Sequence, residues 1–211
     1  MLIGIRSIAG GIMKIKFLFL LVSVLILTSC SSEVNIDSDE MYVSPKELTE
    51  KERSLVNLFS DMNPRLFNYS TSGSIRGAYI RFTDYSDESN LKTETLLSFS
   101  NDSKSIKGRI AISDKSDQIR IAIESDFSSS SIQKQLDSAA LSGRIIYLNR
   151  THEVIIGEPI PLAVILKSIN LKPIETNQVE DFMKNPNLFE QYDNSYVVTI
   201  TFYDNLQNDL Q

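Results

Sequence analysis

The sequence predicts an α+β domain, and three observations carry that reading. Apolar residues recur at helical spacing before residue 63, at a spacing of two between 66 and 124, and at helical spacing again after 127. Turn-forming Asp, Asn and Ser separate the period-two runs by short intervals, which favours an antiparallel meander because a parallel crossover takes a dozen or more residues. The composition is globular: 42% hydrophobic and 23% charged over 211 residues, with 8 Gly and 6 Pro, so collagen-like and wholly disordered chains are excluded.

The elements follow in order. Ser44-Pro45-Lys46-Glu47 has the form of a capping box with Pro at the first helical position, and Leu48, Leu55, Phe59 and Met62 then share one face. This predicts a helix over 45–62, stopped by Asn63-Pro64. Within 66–124, Ala78, Ile80 and Phe82 alternate with Tyr79, Arg81 and Thr83. Ile110 and Ile112 alternate with Arg109 and Ala111, and Ile119, Ile121 and Ile123 with Arg120, Ala122 and Glu124. Half-buried strands alternate in this way. Phe127-Ser128 with Ile132, Leu136 and Ala140 predicts a second helix over 129–141, closed by Gly143. Ile145–Leu148 and Val154–Ile156 flank Asn149-Arg150-Thr151-His152 as a hairpin. Pro161 to Ile169 is a continuous apolar run that suits a short buried helix or a strand. Asn177 and Glu180 open another short helix that Asn185-Pro186 interrupts, and Val197 to Tyr203 is a final strand. The expected domain is residues 44–203, followed by a polar tail, 204–211.

Much chemistry is excluded by residue counts. One Cys and one His cannot build a disulfide or a structural zinc site within one chain. His152 sits in the expected hairpin turn, and no Gly-x-Ser-x-Gly elbow accompanies it. No glycine-rich phosphate loop is present, so no nucleotide cofactor is expected, and neither is a metal. Asp84, Asp87 and Glu88, and Asp114 with Asp117, lack the full spacing of a calcium loop and read as turn residues. A net charge of −6 argues against a nucleic-acid surface.

The N-terminus carries an address. From Met13 the chain reads Met-Lys-Ile-Lys, then an apolar run from Phe17 to Leu27 that only Ser23 interrupts, then Thr28-Ser29-Cys30-Ser31. A basic segment before an apolar stretch too short to span a bilayer has the layout of a secretory signal peptide, here residues 1–29 with Met13 as the expected true start. Leu27-Thr28-Ser29-Cys30 resembles the lipobox of bacterial lipoproteins. That resemblance implies cleavage before Cys30, lipid on Cys30 and anchoring to a membrane. Removing residues 1–29 takes away Arg6, Lys14 and Lys16, leaving 18 of the 21 basic groups against 27 acidic ones, a net −9. Residues 30–43 read as the lipidated Cys and a flexible acidic tether. Acidic residues behind the Cys resemble the export signal of Bacteroidota surface lipoproteins, and Ser31 resembles outer-membrane sorting. The first implies exposure at the cell surface and the second an outer-membrane protein of the cell envelope; the periplasmic or surface face is left open.

The candidate ligand face is the one opposite the isoleucines. If the strands pair in sequence order, Tyr79, Arg81, Tyr85, Lys107, Arg109 and Arg120 share it, with Arg as fork donor and Tyr as stacking plate for an anionic glycan or a partner carboxylate. The competing reading is a solvated face whose opposite charges pair across strands. Three functional classes follow: a non-catalytic module for a glycan or envelope protein, a structural accessory of an envelope complex, and a carboxylate-dependent hydrolase. Oligomeric state is left open.

Overall fold

The structure, a computed structural model, describes residues 40–50, 52–53, 64–72, 75–100, 105–115, 117–125, 128–136, 142–170, 173, 176 and 178–204. Cys30, the signal segment and most of the expected tether lie outside these residues, as do 51 and 54–62 of the expected first helix and 137–141 of the second.

The fold is a β-sandwich, not the expected α+β meander. Its strands are β1 (Tyr42–Lys46), β2 (Arg65–Ser72), β3 (Gly77–Asp84), β4 (Lys92–Ser100), β5 (Ser105–Lys115), β6 (Gln118–Ser125), β7 (Ser129–Gln135), β8 (Ser142–Tyr147), β9 (His152–Glu153), β10 (Ile160–Ser168) and β11 (Asn194–Tyr203). Among the described residues, helical positions at Glu50, Glu52 and Arg53, a helix α1 (Val179–Lys184), and 3₁₀ turns at Glu88–Asn90 and Pro186–Gln191 complete the elements. A six-stranded sheet runs β7-β6-β5-β2-β1-β9 and a five-stranded sheet runs β4-β3-β11-β10-β8, with all pairs antiparallel.

The period-two residues form strands as expected, but their partners differ. β3 pairs with β4 and β11, while β5 pairs with β2 and β6, so the expected 66–124 meander is divided between two sheets. Each sheet has one apolar face, and two such faces cover each other. From the six-stranded sheet come Phe67, Tyr69, Ile110, Ile112, Ile121 and Ile123; from the other come Ile80, Phe82, Ile165, Val198, Ile200 and Phe202, all buried. The Tyr69 ring joins the layers, 6.0 Å from Phe99 and 5.8 Å from Phe202. Each fully buried Ile or Phe side chain contributes about 1.5–3 kcal/mol of transfer free energy.

Four local expectations are corrected with it. Tyr42–Lys46 is strand, and Val43, assigned to the tether, is fully buried. Pro45 fits at a strand position because only Tyr42 and Val43 of β1 pair with β9, so the missing N–H faces an unpaired side. The capping box forms later: Thr49 N–H donates to Glu52 Oε2 at 3.0 Å and Glu52 N–H to Thr49 Oγ1 at 3.3 Å. Residues 129–135 are β7 rather than helix. Ile132, Leu136 and Ala140 are four apart, a spacing that satisfies period two as well as 3.6, and serines 128–131 are weak helix formers. Finally, β8 and β9 belong to different sheets, so Asn149-Arg150-Thr151 crosses between layers and is no hairpin turn. His152 is half-buried beside Val43, its Nδ1 2.8 Å from the Glu153 carbonyl oxygen.

β10 resolves as strand, and every residue in it is buried. Its inner side faces the other sheet, while α1 packs on its outer side with Val179 and Phe182 buried. A strand covered on both faces reads as a continuous apolar run, which is why periodicity leaves it ambiguous with a buried helix. The helix expected from Asn177 is α1, ending where Asn185-Pro186 begins the second 3₁₀ turn, and the final strand extends back to Asn194.

Candidate functional site

Strand register places the outward side chains of the six-stranded sheet in rows. Leu66, Ala111, Ala122 and Ser131 form one row across β2, β5, β6 and β7. Asn68, Arg109, Glu124 and Ser129 form the next row on one side, and Ser113, Arg120 and Gln133 the next on the other. The central row is short because two of its members end at Cβ. The row of Arg109 and Glu124 stands higher along one side. The result is a shallow groove of about 430 Å³ lined by Leu66, Ala111, Ala122, Arg109, Glu124 and Ser129–Ser131.

The wall of the groove is an oriented ion pair. Arg109 donates from Nε at 3.0 Å and from Nη2 at 2.6 Å, both to Glu124 Oε2. Among the described residues this leaves Arg109 Nη1 and Glu124 Oε1 without a partner, one donor and one acceptor on the same ion pair. Both side chains are about half exposed, 48% and 53%, so the pair adds little to stability and is accessible. Outside the groove lining, Gln133 Nε2 donates to Gln118 Oε1 at 2.6 Å. Hydroxyls, amides and one guanidinium–carboxylate pair over an alanine floor suit a polar, extended ligand lying across the strands.

The six expected ligand residues do not share a face. Lys107, Arg109 and Arg120 point outward from the six-stranded sheet, Lys107 beside Ser70 and Arg120 beside Ser113 and Gln133. Tyr79 and Arg81 belong to β3 in the other sheet, on its outer face. There the Arg81 guanidinium lies 4.2 Å from the centre of the Tyr79 ring, which stacks on Tyr203 at 6.0 Å. Tyr79 is only 8% exposed, covered in part by its own arginine. Tyr85 stacks on Phe189 at 4.5 Å, and burial raises its hydroxyl pKa, so it packs the 3₁₀ turn onto the sheet and offers no plate to a ligand. The patch of six is therefore two groups on opposite outer faces of the sandwich.

Turn chemistry accounts for most of the clustered acids. Asp84 Oδ1 accepts from Ser86 N–H at 2.9 Å, and Asp87 Oδ1 from Ser89 N–H at 3.0 Å and Ser89 Oγ at 2.6 Å. The Ser89 bonds hold the Asp87 carboxyl below its ordinary value. Asp117 Oδ2 accepts from Gln135 Nε2 at 2.8 Å. Among the described residues no group of three or more His, Cys, Asp or Glu could hold a metal ion.

The groove floor was not singled out from sequence. Its signal was present all the same, since Ala111 and Ala122 are the small residues among polar alternates. Comparison with family models, with curated proteins and with solved structures finds no match.

Proposed function

We propose that this chain is a lipid-anchored protein of the bacterial cell envelope, held to the outer membrane through Cys30 and acting as a non-catalytic binding module for a glycan. The ligand lies in the groove on the outer face of the six-stranded sheet. One observation carries the reading: a floor of Ala111 and Ala122 flanked by Arg109, Glu124 and Ser129–Ser131, with Arg109 Nη1 and Glu124 Oε1 unpaired among the described residues. Sugar hydroxyls donate and accept at neighbouring atoms, which that pair matches without a net charge. The lipobox resemblance supports the location, and the excess of acidic groups keeps the protein soluble above an anionic surface.

The test is a glycan array probed with the purified protein and two variants. Ala122→Tyr fills the groove from a half-buried, outward-facing strand position that tolerates an aromatic residue, and Arg109→Ala removes the donor wall. Both should fold with stability within about 0.5 kcal/mol of the parent and lose array binding. Retention of every array signal by Ala122→Tyr refutes the groove. Metabolic labelling with a fatty acid should mark the parent and not Cys30→Ala, and an unlabelled parent refutes the anchor.

A second reading, a partner strand adding to an open edge in an envelope assembly, is favoured by β7. This seven-residue edge strand has no proline and exposes Ser129, Ser131, Gln133 and Gln135. Gln135→Pro, outside the groove lining, should abolish capture of such a partner and leave glycan binding intact.

A further inference from the structure

A second concavity of about 440 Å³ opens where β1 ends, β2 begins and β8 ends. Lys46, Arg53, Arg65 and Tyr147 line it, with Leu48 and Pro64 as an apolar wall and Glu47 as an acid in the lining. The topology brings these together. Arg65 pairs with Ile112 and Tyr147 with Ala163, so both side chains belong to the facing sides of the two sheets, at the end of the core. The Arg65 guanidinium lies over the Tyr147 ring, 6.0 Å from its centre. Arg53 stands in the first turn capped by Thr49.

The charges in this cleft are unequally compensated. Lys46 Nζ is 3.1 Å from Glu52 Oε1, and the Thr49 N–H, then Lys46, draw the Glu52 carboxyl down to about 2. Lys46 is therefore answered within the protein. Asp114 is engaged by the Tyr147 hydroxyl at 3.4 Å. Burial first, and Asp114 second, hold that hydroxyl protonated well above its ordinary range, so the ring presents no negative charge to an anion. Among the described residues neither Arg53 nor Arg65 has a carboxylate within ion-pair distance. On a chain with 27 acidic and 21 basic groups, two guanidiniums without an ion-pair partner among the described residues converge, beside Glu47, on one concave surface.

We infer that this cleft binds the oxyanion of a small ligand, a carboxylate or phosphate on a body of monosaccharide size, with Arg65 and Arg53 as fork donors and Tyr147 as the plate. Its volume lies in the range of small-ligand sites, and guanidinium forks match both oxyanions bidentately. The site stands apart from the outer groove, so the two readings fail separately.

The experiment titrates the full chain with inorganic phosphate, glucuronate and, as neutral control, glucose at constant ionic strength, following backbone amide shifts by NMR. Phosphate, glucuronate or both should shift residues around Arg65 and Tyr147, and glucose should not. Binding of one alone supports the site and identifies the source as phosphorylated or as carboxylated. Arg53→Ala, an exposed substitution, should weaken binding about tenfold, the loss of one charge-assisted contact. Arg65→Lys should weaken it less than Arg65→Ala, since charge remains and the fork is lost. Arg109→Ala, in the outer groove, should leave it unchanged. No shift with either anion, equal shifts with glucose, or undiminished binding by Arg53→Ala overturns the inference.

Discussion

Replacing Gly108 by alanine should destabilise the protein far more than one added methyl suggests. Gly108 of β5 faces inward between Ile106 and Ile110, and it pairs directly with Tyr69 on one side and Ser125 on the other. The Tyr69 ring occupies the space a side chain would take, and its hydroxyl donates to the Glu124 carbonyl oxygen at 3.1 Å. A Cβ at 108 would meet that carbonyl well inside van der Waals contact and would stand 2.5 and 2.6 Å from Tyr69 Oη and Cζ. Neither neighbour can yield cheaply. The carbonyl is strand backbone, and Tyr69 is 2% exposed and wedged against Phe99 and Phe202. Forced overpacking costs about 1–3 kcal/mol and loss of the hydroxyl's bond about 1 kcal/mol, so the total is about 2–4 kcal/mol. For a domain of this size that is a fall in Tm of roughly 5–15 °C. Urea and thermal denaturation of parent and variant measure it, with a far-ultraviolet spectrum to confirm the fold. A native-like Gly108→Ala within about 0.5 kcal/mol of the parent would refute the account of why glycine stands there. The same device recurs in the other sheet, where Tyr203 covers its partner Gly77 and donates to the Phe99 carbonyl oxygen at 3.0 Å.

Further outcomes follow from other contacts. Val43→Ala should cost about 2 kcal/mol, two buried CH₂ equivalents plus the cavity, if β1 belongs to the core, and under 0.5 kcal/mol if that segment is a leash. Arg150→Ala should cost about 1–2 kcal/mol. Glu180 is 7% exposed, its Oε1 is 2.8 Å from Arg150 Nε and its Oε2 has no partner among the described residues, while Arg150's 54% exposure screens the pair well below the fully buried case. Glu180→Ala in the same chain should recover most of that loss, and an additive double variant would show that the two do not interact. Asp193 accepts from Ile169 N–H at 2.9 Å and Ser168 Oγ at 2.8 Å, which hold its carboxyl below the ordinary 3.8. A depressed folded value means stability present above the ordinary pKa and lost as pH falls through the lower one. The urea midpoint of Asp193→Asn should therefore lie below the parent's at about pH 5 and converge on it toward about pH 2; a constant gap would contradict the linkage.

The strands were legible because alternation is local: Ile119, Ile121 and Ile123 point one way and Arg120 and Glu124 the other whatever they pair with. The same holds for the final strand and for the break at Asn185-Pro186. The proposed lipid anchor on Cys30 rests on a linear motif, Leu27-Thr28-Ser29-Cys30, and its reading involves no fold. Where local spacing satisfied two periods, as at Ile132 and Leu136, or where a strand was covered on both sides, as in β10, the pattern could not choose between helix and strand.

Partner choice belonged to the tertiary structure. β3 lies beside β11, more than a hundred residues away in sequence, and β5 beside β2, because only two facing sheets could bury both apolar faces. That choice separated Tyr79 and Arg81 from Lys107, Arg109 and Arg120. It also set Ala111 against Ala122 to make a groove floor, and Arg65 over Tyr147 to make a cleft. A side chain's facing is decided within two residues of chain, whereas its neighbours across a sheet are decided by the burial of the whole core. The residues of both sites are therefore written in the sequence, and their meeting is not.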